Sequence, residues 1–228
     1  MKSIAEYIND LYWDKTPEEK TNAIHQLQLI GEKELSCLIQ PLTKGHWDGA
    51  AEVIVAIGYP RVKSILSELL VWIQDLNWPG YQVIADFLRD IGQPLIPEIK
   101  RVIIEHTSDQ DWLYYIIECI LSKWPTELVA QLNKELRHLV HHSANDLDVI
   151  LLLHRHGLES AENLLNLLAQ KEKIAQKKLD QLWNEKPAID CTELIEDNNS
   201  QFLFRYDIST LTEYLHEIKS TCKELAAL

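Results

Sequence analysis

Glycine or proline interrupts this chain at Gly31, Gly58, Gly92, Pro125 and Gly157, with spacings of 27, 34, 33 and 32 residues. Each break follows a run of helical character (LQLIG, IVAIG, LRDIG, LSKWP, LHRHG) and precedes another. A second marker keeps phase with the first. Trp47-Asp48-Gly49, Trp78-Pro79-Gly80 and Trp112-Leu113-Tyr114 open successive first helices, 31 and 34 residues apart. Two interlocked periods of about 30 to 34 residues predict stacked helix pairs, because each pair leaves an apolar face that only the next can cover. The TPR pattern of Trp, Leu-Gly and Tyr is missing, which leaves HEAT-like antiparallel pairs. The expectation is an α-solenoid over 1–160. The competing arrangement is a non-repetitive helical bundle whose glycines are ordinary C-caps; the joint phasing of tryptophan and glycine argues for the repeat.

Local signals agree on an all-α chain. Leu66, Leu69, Leu70 and Ile73 follow the i, i+3, i+4, i+7 rule, and Leu128, Leu132 and Leu136 line one face of a later stretch. Thr16-Pro17-Glu18-Glu19 reads as a capping box with proline at the first helical position. Thr210-Leu211-Thr212-Glu213 reads as a second box. No Asn-Gly or Asp-Gly pair sits between alternating strands. The one strand-like stretch, Phe202 to Ile208, alternates but would have no pairing partner. Beyond residue 160 the period is lost. Residues 161–184 read as one or two charged helices, 187–209 as an acidic irregular segment, and about 210–226 as a final helix. This second region, 161–228, is expected to pack on the repeats as a C-terminal helical cap.

Charge narrows the function classes. Asp and Glu number 35 against 22 Lys and Arg, a formal net charge of −13. Cationic side chains supply most nucleic-acid affinity, so no nucleic-acid partner is expected. An anionic membrane surface would repel the chain, and apolar runs such as Val149 to Leu153 fall far short of the ~20 residues that span a bilayer. No membrane partner is expected either. A basic protein, in contrast, would be steered toward it. The opening MKSIAEYIND lacks a continuous apolar core, and four scattered cysteines show no CxxC pairing. Both features fit a cytoplasmic chain with reduced thiols.

One stretch carries a resemblance. Trp72-Ile73-Gln74-Asp75-Leu76-Asn77-Trp78-Pro79, with Gly92-Gln93-Pro94-Leu95-Ile96-Pro97 and Trp112-Leu113-Tyr114-Tyr115, resembles a group of bacterial HEAT-like domains of unknown function. Their hallmark reads W-[IL]-Q-D-x-N-W-P, and the resemblance covers about residues 46–142. It implies an all-α fold and bacterial origin, and carries no activity or catalytic residues. The residues have their own physical reading. Asn77 can N-cap the following helix with Pro79 in its first turn, and Asp75 can satisfy free N–H groups there. Trp72 and Trp78 would fill the core between pairs.

Signals for catalysis are weak. His138, His141, His142, His154 and His156 lie within 19 residues, and two imidazoles at i, i+4 can hold zinc. His154 and Asp146 could complete a set of four ligands. There is no HExxH, however, and surface histidines at a helix C-terminus are favourable with its dipole. No nucleophile elbow, phosphate loop or dinucleotide fingerprint occurs, and no cysteine has an adjacent histidine or a cationic cluster to activate it. The expectation is a non-enzyme with no metal and no cofactor.

Acidic side chains near aromatics remain as binding candidates. Glu105, Asp109 and Asp111 lie beside Trp112 at one inter-helix loop; Asp75, Asn77 and Trp78 form another; Asp190, Glu193, Glu196 and Asp197 belong to the tail. Tryptophan is favoured as an interface anchor. The specific expectation is an immunity protein that neutralises a basic bacterial toxin domain through acidic loops and a concave wall of second helices. A general scaffold or adaptor in a bacterial complex is the alternative, with a cryptic metal-dependent enzyme behind it.

Overall fold

The computed structural model describes residues 2–184 and 197–227, with side chains described up to Asn184 and again from Arg205. The described residues form twelve α-helices and no strand. In order these are α1 (Ile4–Asn9), α2 (Pro17–Leu27), α3 (Trp47–Ile57), α4 (Leu66–Trp72), α5 (Tyr81–Ile91) and α6 (Ile96–Glu105). Then follow α7 (Gln110–Cys119), α8 (Thr126–Val129), α9 (Asn133–His142), α10 (Asp146–Arg155), α11 (Ala161–Asn184) and α12 (Asp197–Ala227). Short 3₁₀ segments, among them Glu32–Leu38 and Arg61–Ile65, complete several second elements. The chain divides into two compact units, Met1–Leu152 and Leu153–Leu228.

In the first unit Gly31, Gly58, Gly92 and Pro125 separate α2, α3, α5 and α7 from the elements that follow them, and Gly157 comes after α10. Gly58 and Gly92 end α3 and α5 with φ of 72° and 67°, a region that costs any residue with a Cβ. Like then packs on like. Along the first helices α2 contacts α3, α3 contacts α5, and α5 contacts α7. Along the second elements Glu32–Leu38 contacts Arg61–Ile65, α4 contacts α6, and α6 contacts α9. Both sets of elements contribute to an aliphatic core that includes fully buried Leu35, Ile54, Leu70, Ile84, Ile99 and Leu136. Leu66, Leu69 and Ile73 join it, as their helical spacing predicts.

Both helix starts at the N-terminus are capping boxes. Thr16 Oγ1 accepts the Glu19 N–H at 3.2 Å, and the Glu19 carboxylate accepts the Thr16 N–H at 3.0 Å. Ser3 and Glu6 repeat the exchange. The expected box at Thr210 does not form. Thr210 lies inside α12, where its hydroxyl donates to the Tyr206 carbonyl at 2.9 Å and that of Thr212 to Ile208 at 2.7 Å. The helix therefore starts at Asp197, not near 210, and absorbs the alternating stretch Phe202–Ile208. A lone strand would leave its backbone groups unpaired, whereas a helix pairs them internally and packs along α11. In this second unit Leu164, Leu168, Ala175, Leu215, Ile218 and Leu225 are buried, and Arg155 pairs with Glu224 at 2.7 Å.

Backbone and hydroxyl donors of Ser3 and Thr16 hold Glu6 and Glu19 below the usual carboxylate range. A carboxylate held low in the fold adds stability that is present above its unfolded pKa and lost as pH falls through the folded one. Thr16→Ala is therefore expected to lower Tm at neutral pH, by an amount that shrinks below about pH 4.3. Melts followed by circular dichroism across that range check the sign.

Candidate interaction surface

The stretch Trp72–Gly80 is a closed loop between α4 and α5. Trp72, the last residue of α4, is fully buried, and its indole N–H donates to the Pro79 carbonyl at 2.9 Å. Trp47 packs edge-on against both Trp72 and Trp78, with centroids 6.2 and 5.8 Å away. Asp75 Oδ1 accepts the Asn77 N–H at 2.8 Å, and the Asp75 carbonyl accepts that of Trp78 at 3.0 Å.

These bonds correct the capping expectation. Asn77, Asp75 and Pro79 lie outside α5, which begins at Tyr81 with Gly80 as its N-cap. Gly80 has φ of 80°, and a Cβ there would sit 2.8 Å from Ala51 Cβ and 3.0 Å from the Trp47 carbonyl. The backbone must press against α3 at the helix start, which leaves no room for a capping side chain. Trp78 is half-buried, packed on Trp47 rather than enclosed like Trp72.

A second loop, between α6 and α7, is bonded to the first. Gln74 Nε2 donates to Asp109 Oδ2 at 2.5 Å, and Asp109 Oδ1 caps α7 by accepting the Trp112 N–H at 3.2 Å. Gln110 extends the link toward the end of α9. It donates to the Thr107 carbonyl, and its Oε1 accepts from Ser143 Oγ at 2.9 Å and the Ala144 N–H at 2.8 Å. Trp112 is only 2% exposed; its indole donates to the Leu70 carbonyl at 3.0 Å and its ring faces His106. It is a core residue and cannot anchor a partner.

The remaining acids divide. Asp75 and Asp111 both raise the Tyr115 hydroxyl, after the larger effect of burial, so they share a neighbourhood with that ring. An open depression is lined by Ser108, Asp109, Gln110 and Asp111. Glu105 is exposed and pairs with Arg101 at 3.3 Å. Asp190, Glu193 and Glu196 lie outside the described residues, and Asp197 opens α12 with its side chain undescribed.

The structure adds acids that loop-based reading passed over. The first helices α3, α5 and α7 carry Asp48, Glu52, Asp86, Asp90, Asp111 and Glu118 against the single cation Arg89. Glu118 and Asp86 act together on Cys119, whose thiol is raised mainly by burial, with Lys123 opposing. The second elements differ in sign. Arg61, Lys63, Lys100, Arg101, Lys134 and Arg137 outnumber Glu68, Glu98, Glu105 and Glu135 along Arg61–Trp72, α6 and α9. Carboxylates are thus concentrated on α3, α5 and α7 as well as in the loops singled out from the sequence. Spacing such as Asp86/Asp90 is visible in sequence, but its neighbours on α7 are not.

Residues 41–150, just under half of the chain, are similar to a family described as a domain of unknown function (DUF5071). Both bonded loops lie inside that stretch. No curated protein and no solved structure matches the chain.

Other chemistry is sparse. Among the described residues no group of three or more His, Cys, Asp or Glu side chains is placed to hold a metal ion. Cys37, Cys119 and Cys222 are free, half-buried, and raised by burial away from the reactive thiolate. Cys191 lies outside the described residues. No described helix is long and apolar enough to cross a membrane.

Trp72→Ala empties a fully buried site and is expected to cost ~3–5 kcal/mol. Trp78→Ala, which leaves a half-exposed position, should cost less than half of that; urea unfolding of both variants decides. Asp109→Ala removes a cap and the Gln74 acceptor together, and should cost about 1–2 kcal/mol. Exposed Asp111→Ala should stay within about 0.5 kcal/mol of the parent.

Proposed function

We propose that this chain is a non-catalytic helical-repeat protein that binds a basic protein partner through the carboxylates of α3, α5 and α7. The observation that carries this reading is a local charge difference: six acids against one cation on α3, α5 and α7, beside six cations against four acids on Arg61–Trp72, α6 and α9. A row of helices in mutual contact presents those carboxylates side by side, which raises the local potential that steers a cationic surface into place. Half-exposed Tyr114, Val55 and Val83 on the same helices supply apolar area among the charges, as interface cores require.

The alternation of first and second elements, each contacting its own kind, supports an α-solenoid of HEAT-like pairs over the first unit. In its most specific form the reading is a cytoplasmic immunity protein. A nuclease-like toxin must carry a basic surface to hold its nucleic-acid substrate, and a row of carboxylates competes for that surface without cofactor or catalysis.

The test is capture with the tagged chain from native lysate, followed by kinetics on the captured protein. A single basic protein, bound near one-to-one and toxic when expressed alone, is the expected result. Raising NaCl from about 50 to about 500 mM should slow its association by about tenfold or more and change dissociation by less than about threefold. Asp86→Asn/Asp90→Asn/Glu118→Gln should slow association in the same way at low salt. An association rate indifferent to salt and to these changes overturns the acidic face, and recovery of a large assembly replaces immunity with a scaffold role.

A further inference from the structure

The C-terminal turns of α9 carry three exposed imidazoles, of His138, His141 and His142. His138 and His142 are one helical turn apart, and their ring centroids are 4.3 Å from each other with planes inclined by 32°. His141 lies round the helix, 6.4 Å from His142. Among the described residues neither His138 nor His142 makes a hydrogen bond through its ring. Other histidines of the chain are engaged or solitary. His46 is buried and bonded to Thr43, His106 packs on Trp112, and His154 lies in the last turn of α10 with His156 beyond the helix end.

We infer that His138 and His142 form a two-point chelate for a borderline divalent transition ion of the zinc and nickel class. Two imidazole nitrogens bound to one ion at about 2.0–2.1 Å stand about 3 Å apart, a spacing that rings already 4.3 Å apart at their centres reach by small side-chain rotations. The helix backbone holds the two rings on one face, so little conformational freedom is lost when the ion binds. Neutral imidazole is the preferred nitrogen donor for these ions, whereas calcium and magnesium demand oxygen. Binding displaces two waters from the hydrated ion, along with a proton from any imidazolium present, and involves no redox change. With two protein ligands the ion keeps open positions filled by water. The site is one of capture rather than a closed structural centre. The inference stands apart from the partner surface, since α9 belongs to the second elements.

Calorimetric titration of the whole chain with zinc chloride, and separately nickel chloride, in a non-chelating buffer near neutral pH tests it. The expected result is one ion per chain, with affinity falling by about tenfold or more in His138→Ala and in His142→Ala, and unchanged within about twofold in His141→Ala. All three positions are exposed, so each variant is expected to melt like the parent. Wild-type protein that takes up no ion, or His138→Ala and His142→Ala variants that keep the parental affinity, would overturn the site.

Discussion

Indole N–H groups hold successive helix pairs of the first unit in register. Trp112 donates to the Leu70 carbonyl and Trp124 to that of Arg89, reaching across 42 and 35 residues. Trp47 and Trp72 donate to Pro41 and Pro79 nearer by, closing the loops that enter and leave the same core. A buried indole without an acceptor is costly, so each ring accepts one orientation, and that orientation sets where the next pair lies. Helix-on-helix burial alone would permit sliding between rows; a directional bond to one carbonyl does not.

The polar loops depend on that register. Gln74 meets Asp109 only because α4 and α6 sit beside each other, and Asp109 can then cap α7 and accept Gln74 with its two oxygens. Gln110 carries the same bonding toward Ser143 and Ala144 at the end of α9. One edge of the unit is thereby stitched across three consecutive loops, while the carboxylates of α3, α5 and α7 stay outside this bonding, Asp86 and Asp90 paired with Arg89 and Asp48, Glu52, Asp111 and Glu118 exposed. Structural polar groups and the proposed recognition surface are therefore different residues, though they occupy adjacent parts of the same loops and helices.

How much of this was legible in sequence varies with the range of the interaction. The Thr16 capping box was legible because every partner lies within three residues. Thr210 carries the same local pattern and fails, since α12 runs through it and its hydroxyl turns back to Tyr206. Asn77 fails for a tertiary reason: the close approach of Gly80 to α3 sets the start of α5. Trp112 looked like an interface anchor beside acidic residues, yet its indole points inward to Leu70. Nothing within its own stretch distinguishes that outcome from exposure.

Helicity, the positions of the breaks, the paucity of nucleophilic motifs and the acidic balance were all determined by the sequence itself. Helical bonds run from each residue to the fourth before it, and glycine or proline acts at its own backbone position, so such features need no knowledge of distant neighbours. Only the tertiary structure decided which tryptophans are enclosed, which acid Gln74 holds, and that carboxylates from three separate helices share one row. Those outcomes rest on contacts between residues 35 to 42 apart in sequence, whose alignment is set by how the helices pack.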